Sequence, residues 1–172
     1  MVRGSPNPRH FGLASRLRKA RRQAELSRRA LEQKAGGTNG AVLYIETGKR
    51  LPTIATVVRL ASALAVSAGW LAYGIGEMAA DGPSPTTDGL AKRLQAVRIE
   101  SGLTKAALAR LVGLSPSTIA DIESGAQTGV EVIAVLAQVL RISPAWLAFG
   151  QGSQILPSRR GRPLKESSAP VG

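Results

Sequence analysis

Apolar positions along this chain recur at helical spacing, and the whole set then recurs a second time. In residues 88–152, Leu90, Leu94 and Val97 fall three or four apart, as on one face of a helix, and Gly102 offers a left-handed stop. Thr104 caps a second helix through about Leu111, and Gly113 makes the turn. Ser115 then caps a third helix, with Pro116 at its first position, which runs to Ser124 and stops at Gly125. A fourth helix is predicted over Val130–Leu140 and a fifth over Pro144–Phe149. The earlier stretch predicts the same series: Leu13–Ala24, Ser27–Lys34, Thr38–Thr47, Thr53–Leu64 and Ala68–Ala72. No segment alternates apolar and polar residues as a strand does, so the fold class is all-α.

The repeat is visible residue by residue. Leu13, Leu17, Leu26 and Leu31 match Leu90, Leu94, Leu103 and Leu108 at one constant spacing, and Val42, Ile45, Glu46 and Gly48 match Ile119, Ile122, Glu123 and Gly125 at that same spacing. After one residue is dropped in the following loop, Leu60, Leu64, Trp70, Leu71 and Gly74 match Leu136, Leu140, Trp146, Leu147 and Gly150. Two copies of a compact five-helix domain explain this better than a solenoid. The division expected is a basic arm 1–10, domain one 11–76, a linker 77–87, domain two 88–152 and a basic tail 153–172. Gly82, Pro83, Ser84 and Pro85 make Glu77–Thr87 a solvated, semi-extended linker, and arm and tail are expected to be disordered. Fully stretched, such a linker spans about 35 Å at ~3.3 Å per residue. That approaches the roughly 34 Å between major grooves one helical turn apart.

Charge sharpens the picture. Lys and Arg number 23 against 11 Asp and Glu, a net charge of +12, which implies a polyanionic partner such as nucleic acid. Residues 1–76 hold 13 basic and 3 acidic groups, a net of +10, whereas residues 88–152 hold 6 and 5, a net of +1. The first copy is therefore the expected electrostatic anchor. Aromatic residues make up only 3%, which argues against a single-strand binder built on stacking. Without cysteine there are no disulfides or thiolate-bound metals. No apolar run opens or crosses the chain as a signal or membrane span would, and a soluble cytoplasmic, nucleoid-associated protein is expected. With a single histidine and scattered acids, no enzyme, cofactor or metal site is expected.

The run GLTKAALARLVGLSPSTIADIESG from Gly102 to Gly125, followed by LAQVLRISPAWLAFG, resembles the phage repressor and Cro-like helix-turn-helix proteins of the xenobiotic-response-element type. The first copy resembles them through ELSRRALEQKAGGTNGAVLYIETGKR and LASALAVSAGWLAYG. The resemblance implies that the second helix of each motif enters the major groove of duplex DNA. Carried over, base-facing candidates are Thr38, Asn39, Gly40 and Tyr44 in copy one and Ser115, Ser117, Thr118 and Asp121 in copy two. Asn39 suits an adenine edge, and Asp121 suits a cytosine amine if it is not to face phosphates. Phosphate candidates are Arg28 and Lys105 at the starts of the preceding helices, with Lys49 and Arg50 in the loop after recognition helix one. Copy two has Ala126 and Gln127 there.

Copy one departs from the pattern. Gly36-Gly37 stands where Gly plus an apolar residue is wanted, Glu25 stands where copy two has Gly102, and Gly40 is expected inside the recognition helix at a cost of about 1 kcal/mol. The resemblance implies that Arg21–Glu46 and Arg98–Glu123 are ion pairs tying first helix to recognition helix. Trp70 and Trp146 are expected as core wedges. The apolar end around Leu71, Tyr73, Leu147 and Phe149 is either interior or a homodimer surface. His10 is expected as an exposed arm residue.

In the tail, Arg160-Gly161-Arg162-Pro163 resembles the core of an AT-hook, which would lie in a narrow A·T minor groove; the alternative is a plain basic tail. The expected function is a sequence-specific duplex-DNA-binding transcriptional regulator, as a single-chain pseudo-dimer. The alternatives are an antitoxin-like autoregulator or a helix-turn-helix scaffold whose second domain binds a protein partner.

Overall fold

The computed structural model describes residues 9–37, 40–80 and 86–155. A short 3₁₀ turn, Arg9–Gly12, precedes ten α-helices: α1 Leu13–Gln23, α2 Arg28–Lys34, α3 Ala41–Glu46, α4 Ile54–Leu64 and α5 Ala68–Tyr73 form copy one. Copy two comprises α6 Leu90–Glu100, α7 Lys105–Val112, α8 Pro116–Glu123, α9 Val130–Val139 and α10 Pro144–Phe149. The described part is all-helical. Helix starts follow side-chain chemistry: Ser27, Thr53, Ser67, Thr104, Ser115 and Ser143 each accept a hydrogen bond from an amide in the first turn.

Three helix ends carry a left-handed residue that is not glycine. Glu25, at φ 55°, takes the role that Gly102 plays at φ 67° in copy two. Ala65 and its counterpart Arg141 do the same after α4 and α9, at φ 53° and 57°.

The two copies share one hydrophobic core, and they meet through equivalent positions. The Ile54 amide donates to the Thr128 carbonyl at 2.9 Å, and the Val130 amide donates to the Pro52 carbonyl at 3.2 Å. Ile54 and Val130 are counterparts, as are Pro52 and Thr128, so the two bonds are reciprocal. Between them Thr53 bridges Gly129, again its own counterpart. The α5–α10 contact repeats this. Tyr73 packs on Phe149 with ring centroids 6.3 Å apart, and a Cβ on Gly69 would lie 2.8 Å from the Ala145 Cβ. Residues that face their own equivalents mark an isologous contact, as across a two-fold axis. Leu71, Tyr73, Leu147 and Phe149 are all buried, so the apolar end lies inside the chain. Trp70 and Trp146 are half-buried against the core.

Symmetry is broken at a few points. The Tyr73 hydroxyl donates to the Val130 carbonyl at 3.2 Å, a bond that Phe149 cannot make in return. Gln151 Oε1 accepts from the Gly69 amide at 3.0 Å, and its counterpart is Ile75.

Two expectations are corrected at the edges of the domains. His10 is not an exposed arm residue: it is 6% exposed in the 3₁₀ turn, which packs on α5 of copy one and α9 of copy two. Burial pushes its imidazole below the ordinary range; the Glu131 carboxylate opposes this and Arg16 adds to it. At the start of the linker, Ala79 bridges Val66 and the Met78 carbonyl accepts from the Ser67 amide at 3.0 Å, so this stretch is docked on copy one.

Candidate nucleic-acid interface

In copy two, Gly113 at φ 72° closes α7 and turns the chain into α8. Ser115 caps α8 by accepting from the Thr118 amide at 3.1 Å, and its Oγ lies 2.8 Å from both Ser117 Oγ and Thr118 Oγ1. Three of the predicted base-facing residues are thus brought into one hydroxyl cluster at the start of the recognition helix. Ser117 is exposed and Thr118 half-buried, while Ser115 is largely engaged in capping. Asp121 is exposed one turn further along.

In copy one the recognition helix is shorter. Thr38 and Asn39 lie outside the described residues, and α3 begins at Ala41 rather than Thr38. Gly40 is therefore not inside the helix: it is the N-cap, at φ 83°, where a side chain is disfavoured and glycine is suited. Its presence is a requirement of the turn, and the expected helix-propensity cost does not arise. Gly40 has no side chain with which to cap. Instead the Glu32 carboxylate, 5% exposed, reaches across from α2 and accepts from the Val42 amide at 2.8 Å. In copy two Ala109 stands at the place of Glu32, because Ser115 supplies the cap. Tyr44 is 48% and Leu43 41% exposed on α3. Sequence reasoning did not single out Leu43; its signal is the absence of Leu43 from the apolar stripe of Val42 and Ile45. The Lys49 and Arg50 amides both donate to the Tyr44 carbonyl, which holds these exposed cations at the end of α3.

Each recognition helix is tied to its first helix by charge. Arg21 Nε lies 2.7 Å from Glu46 Oε1, and Arg98 Nε lies 2.6 Å from Glu123 Oε1. The same guanidinia donate to the carbonyls of Leu26 and Leu103, so each also fixes the turn into the next helix. The Glu46 side chain is fully buried. Burial alone would raise its carboxyl, but the hydrogen bonds and charges of Arg21 and Arg28 outweigh that and hold it below the ordinary carboxylate range. In copy two, Glu123 holds the Arg98 guanidinium above its ordinary value, against the effect of burial.

Arg28 and Lys105 are brought to these same carboxylates, at 2.8 Å from Glu46 and 3.6 Å from Glu123. Their side chains stay 46% and 45% exposed, so each faces solvent beside its recognition helix while leaning on an anion beneath. Arg18 adds a third tie in copy one, donating to the Glu46 carbonyl at 2.8 Å. Copy two has Gln95 there. Arg160, Gly161, Arg162 and Pro163 lie outside the described residues.

Two capped helices joined by a tight turn, with the second presenting exposed polar residues over a buried ion pair, define a helix-turn-helix DNA-binding unit, here present twice. The helix-turn-helix family model matches residues 17–71 and again residues 94–147. The chain belongs to that family, of Cro/C1 type, as two tandem copies, and it is a DNA-binding transcriptional regulator. No solved structure matches the chain. Among the described residues, no helix is long and apolar enough to cross a membrane, and no group of three His, Asp or Glu could hold a metal ion.

Proposed function

We propose that one chain binds duplex DNA sequence-specifically as a covalent pseudo-dimer, with α3 and α8 in successive major grooves of an asymmetric site. The observation that carries this reading is the reciprocal pair of hydrogen bonds, Ile54 to Thr128 and Val130 to Pro52. An isologous contact relates the two recognition helices as a homodimer would relate them, so a pseudo-palindromic target is the matching DNA symmetry. The halves of that target differ because the helices differ. Leu43 and Tyr44 offer apolar surface suited to thymine methyl groups, with Asn39 before them for an adenine edge. Ser117, Thr118 and Asp121 offer hydroxyls and a carboxylate, the latter suited to a cytosine amine. Lys49, Arg50, Arg28 and Lys105 grip phosphates, which weights affinity toward copy one. Residues Arg160–Pro163 extend the grip into an adjacent A·T minor groove.

Selection of bound duplexes from a random pool tests this. The expected product is a site with two preferred segments about one helical turn apart and unlike in sequence. A single preferred segment, or no enrichment, overturns the reading.

A second reading has its own support. Ile99 and Leu111 of copy two are 60% and 59% exposed, where copy one has Arg22 and Lys34. That exchange suits an autoregulator whose second copy also holds a protein partner.

A further inference from the structure

The turn before the recognition helix has the same backbone in both copies and a different side chain. The Gly37 amide donates to the Glu32 carbonyl at 2.8 Å, and the Leu114 amide donates to the Ala109 carbonyl at 2.9 Å. Leu114 packs against the core of copy two. Gly37 has no side chain to put in the corresponding space, and among the described residues a cavity of about 240 Å³ lies between α2, α3 and α4. For scale, an engineered apolar cavity of roughly 150 Å³ holds benzene.

The walls of this cavity are not those of an accidental void. Ala35, Val42, Ile45 and Leu60 give an apolar floor, and Arg50 and Arg59 stand exposed at the rim. Thr56 lies between rim and floor and accepts from Arg59 at 3.4 Å. The Arg50 guanidinium has no protein partner among the described residues. Glu32, the one anion in the wall among the described residues, is engaged with the Val42 amide. In copy two the counterparts of Arg50, Thr56 and Arg59 are Gln127, Val132 and Val135, so the pair of arginines belongs to copy one alone.

We infer that this cavity binds a small carboxylic acid with an apolar body, such as an aryl-alkanoate. The body takes the place that Leu114 fills in copy two, and the carboxylate pairs with Arg50 and Arg59. Guanidinium forks match carboxylates bidentately, and an apolar body held on the floor of the cavity keeps its carboxylate at the rim beside them. Because Arg50 is also a proposed phosphate contact, ligand and DNA compete for it, and the acid weakens DNA binding. The DNA consequence rests on the proposed function; the binding itself does not.

The test is calorimetric titration of the full chain, without DNA, with benzoate, phenylacetate, 3-phenylpropanoate and hexanoate, and with 3-phenylpropanol as the neutral control. At least one acid is expected to bind, with the alcohol ten-fold weaker or more. Gly37→Leu should abolish binding while leaving helicity and thermal midpoint intact or raised, since a Cβ at Gly37 meets the Glu32 backbone at ordinary distances, its carbonyl oxygen at 3.6 Å and its Cα at 4.0 Å. Arg59→Ala, at an exposed position, should weaken binding ten-fold or more whatever Gly37→Leu does to the fold. No binding of any acid, equal binding of acid and alcohol, or unchanged binding in both variants overturns the inference. A duplex affinity that is unmoved by a bound acid overturns only the competition for Arg50.

Discussion

Copy one follows its recognition helix with Lys49 and Arg50, and copy two follows its own with Ala126 and Gln127. The same exchange runs over the outer faces of the first two helices, where Arg22, Arg29 and Lys34 of copy one stand against Ile99, Ala106 and Leu111 of copy two. Inside, the pairs barely change: Leu17 and Leu94, Leu31 and Leu108, and Leu71 and Leu147 are all fully buried. The difference teaches which positions are tied. A fully buried residue is confined by the side chains packed around it, so its size and shape are held. A residue on the outer face answers only to its own ligand and is free to diverge.

The comparison breaks most visibly at the ion pairs. Glu46 serves two arginines with no exposure, whereas Glu123 serves Arg98 closely and Lys105 only at 3.6 Å. Glu46→Ala should cost about 3 kcal/mol, the low end for a broken buried pair because Arg28 can return to water. Glu123→Ala should cost less. Because the core is continuous, both should shift one cooperative urea transition, and two separate transitions would show that the copies fold apart.

Next in size is the phosphate grip. Lys49→Ala with Arg50→Ala should lower affinity for every duplex and reduce the log–log salt slope by nearly 2, at about 0.9 per contact. Gln127→Ala in copy two should leave that slope unchanged. An equal effect of the two changes would erase the proposed imbalance.

Glu25 sharpens the comparison from the stability side. Left-handed backbone costs a non-glycine residue roughly 1–2 kcal/mol, partly offset by the greater chain entropy of glycine. Glu25→Gly should therefore stabilise the chain by up to about 1 kcal/mol in thermal unfolding. Gly102→Glu in copy two should destabilise it by a similar amount.

The smallest effect concerns pH. The His10 imidazole is held low in the folded chain, so the unfolded chain binds more protons, and stability falls as pH drops through the ordinary histidine range near ~6.5. Glu46, also held low, contributes stability that is lost only further down, below about pH 4. His10→Phe should remove the first decline and leave the second, as read from thermal midpoints across pH.

Most of the helices were legible because their starts are written in hydroxyl caps and their ends in glycines. The ion pairs were legible through the family resemblance, which implies a tie between Arg21 and Glu46 and between their counterparts Arg98 and Glu123. Gly40 was misread because a glycine beside helical residues looks like a helix defect, and only the backbone angle reveals a turn that needs it. The Glu32 cap was missed because its partner is an amide ten residues on, with no local pattern to mark it. The junction was the least legible part. A repeat states that two units exist and says nothing of how they touch, and the sequence alone left Leu71, Tyr73, Leu147 and Phe149 open between interior and dimer surface. The small pair Gly69 and Ala145, at equivalent positions on facing helices, was the available signal.

The central claim is that one chain does the work of two subunits on DNA, and the stoichiometry of the complex tests it most directly. Native mass spectrometry of the full chain on its selected duplex should give one chain per duplex, with protection of two major-groove patches about one turn apart in footprinting. Two chains per duplex, or a single protected patch, would contradict it.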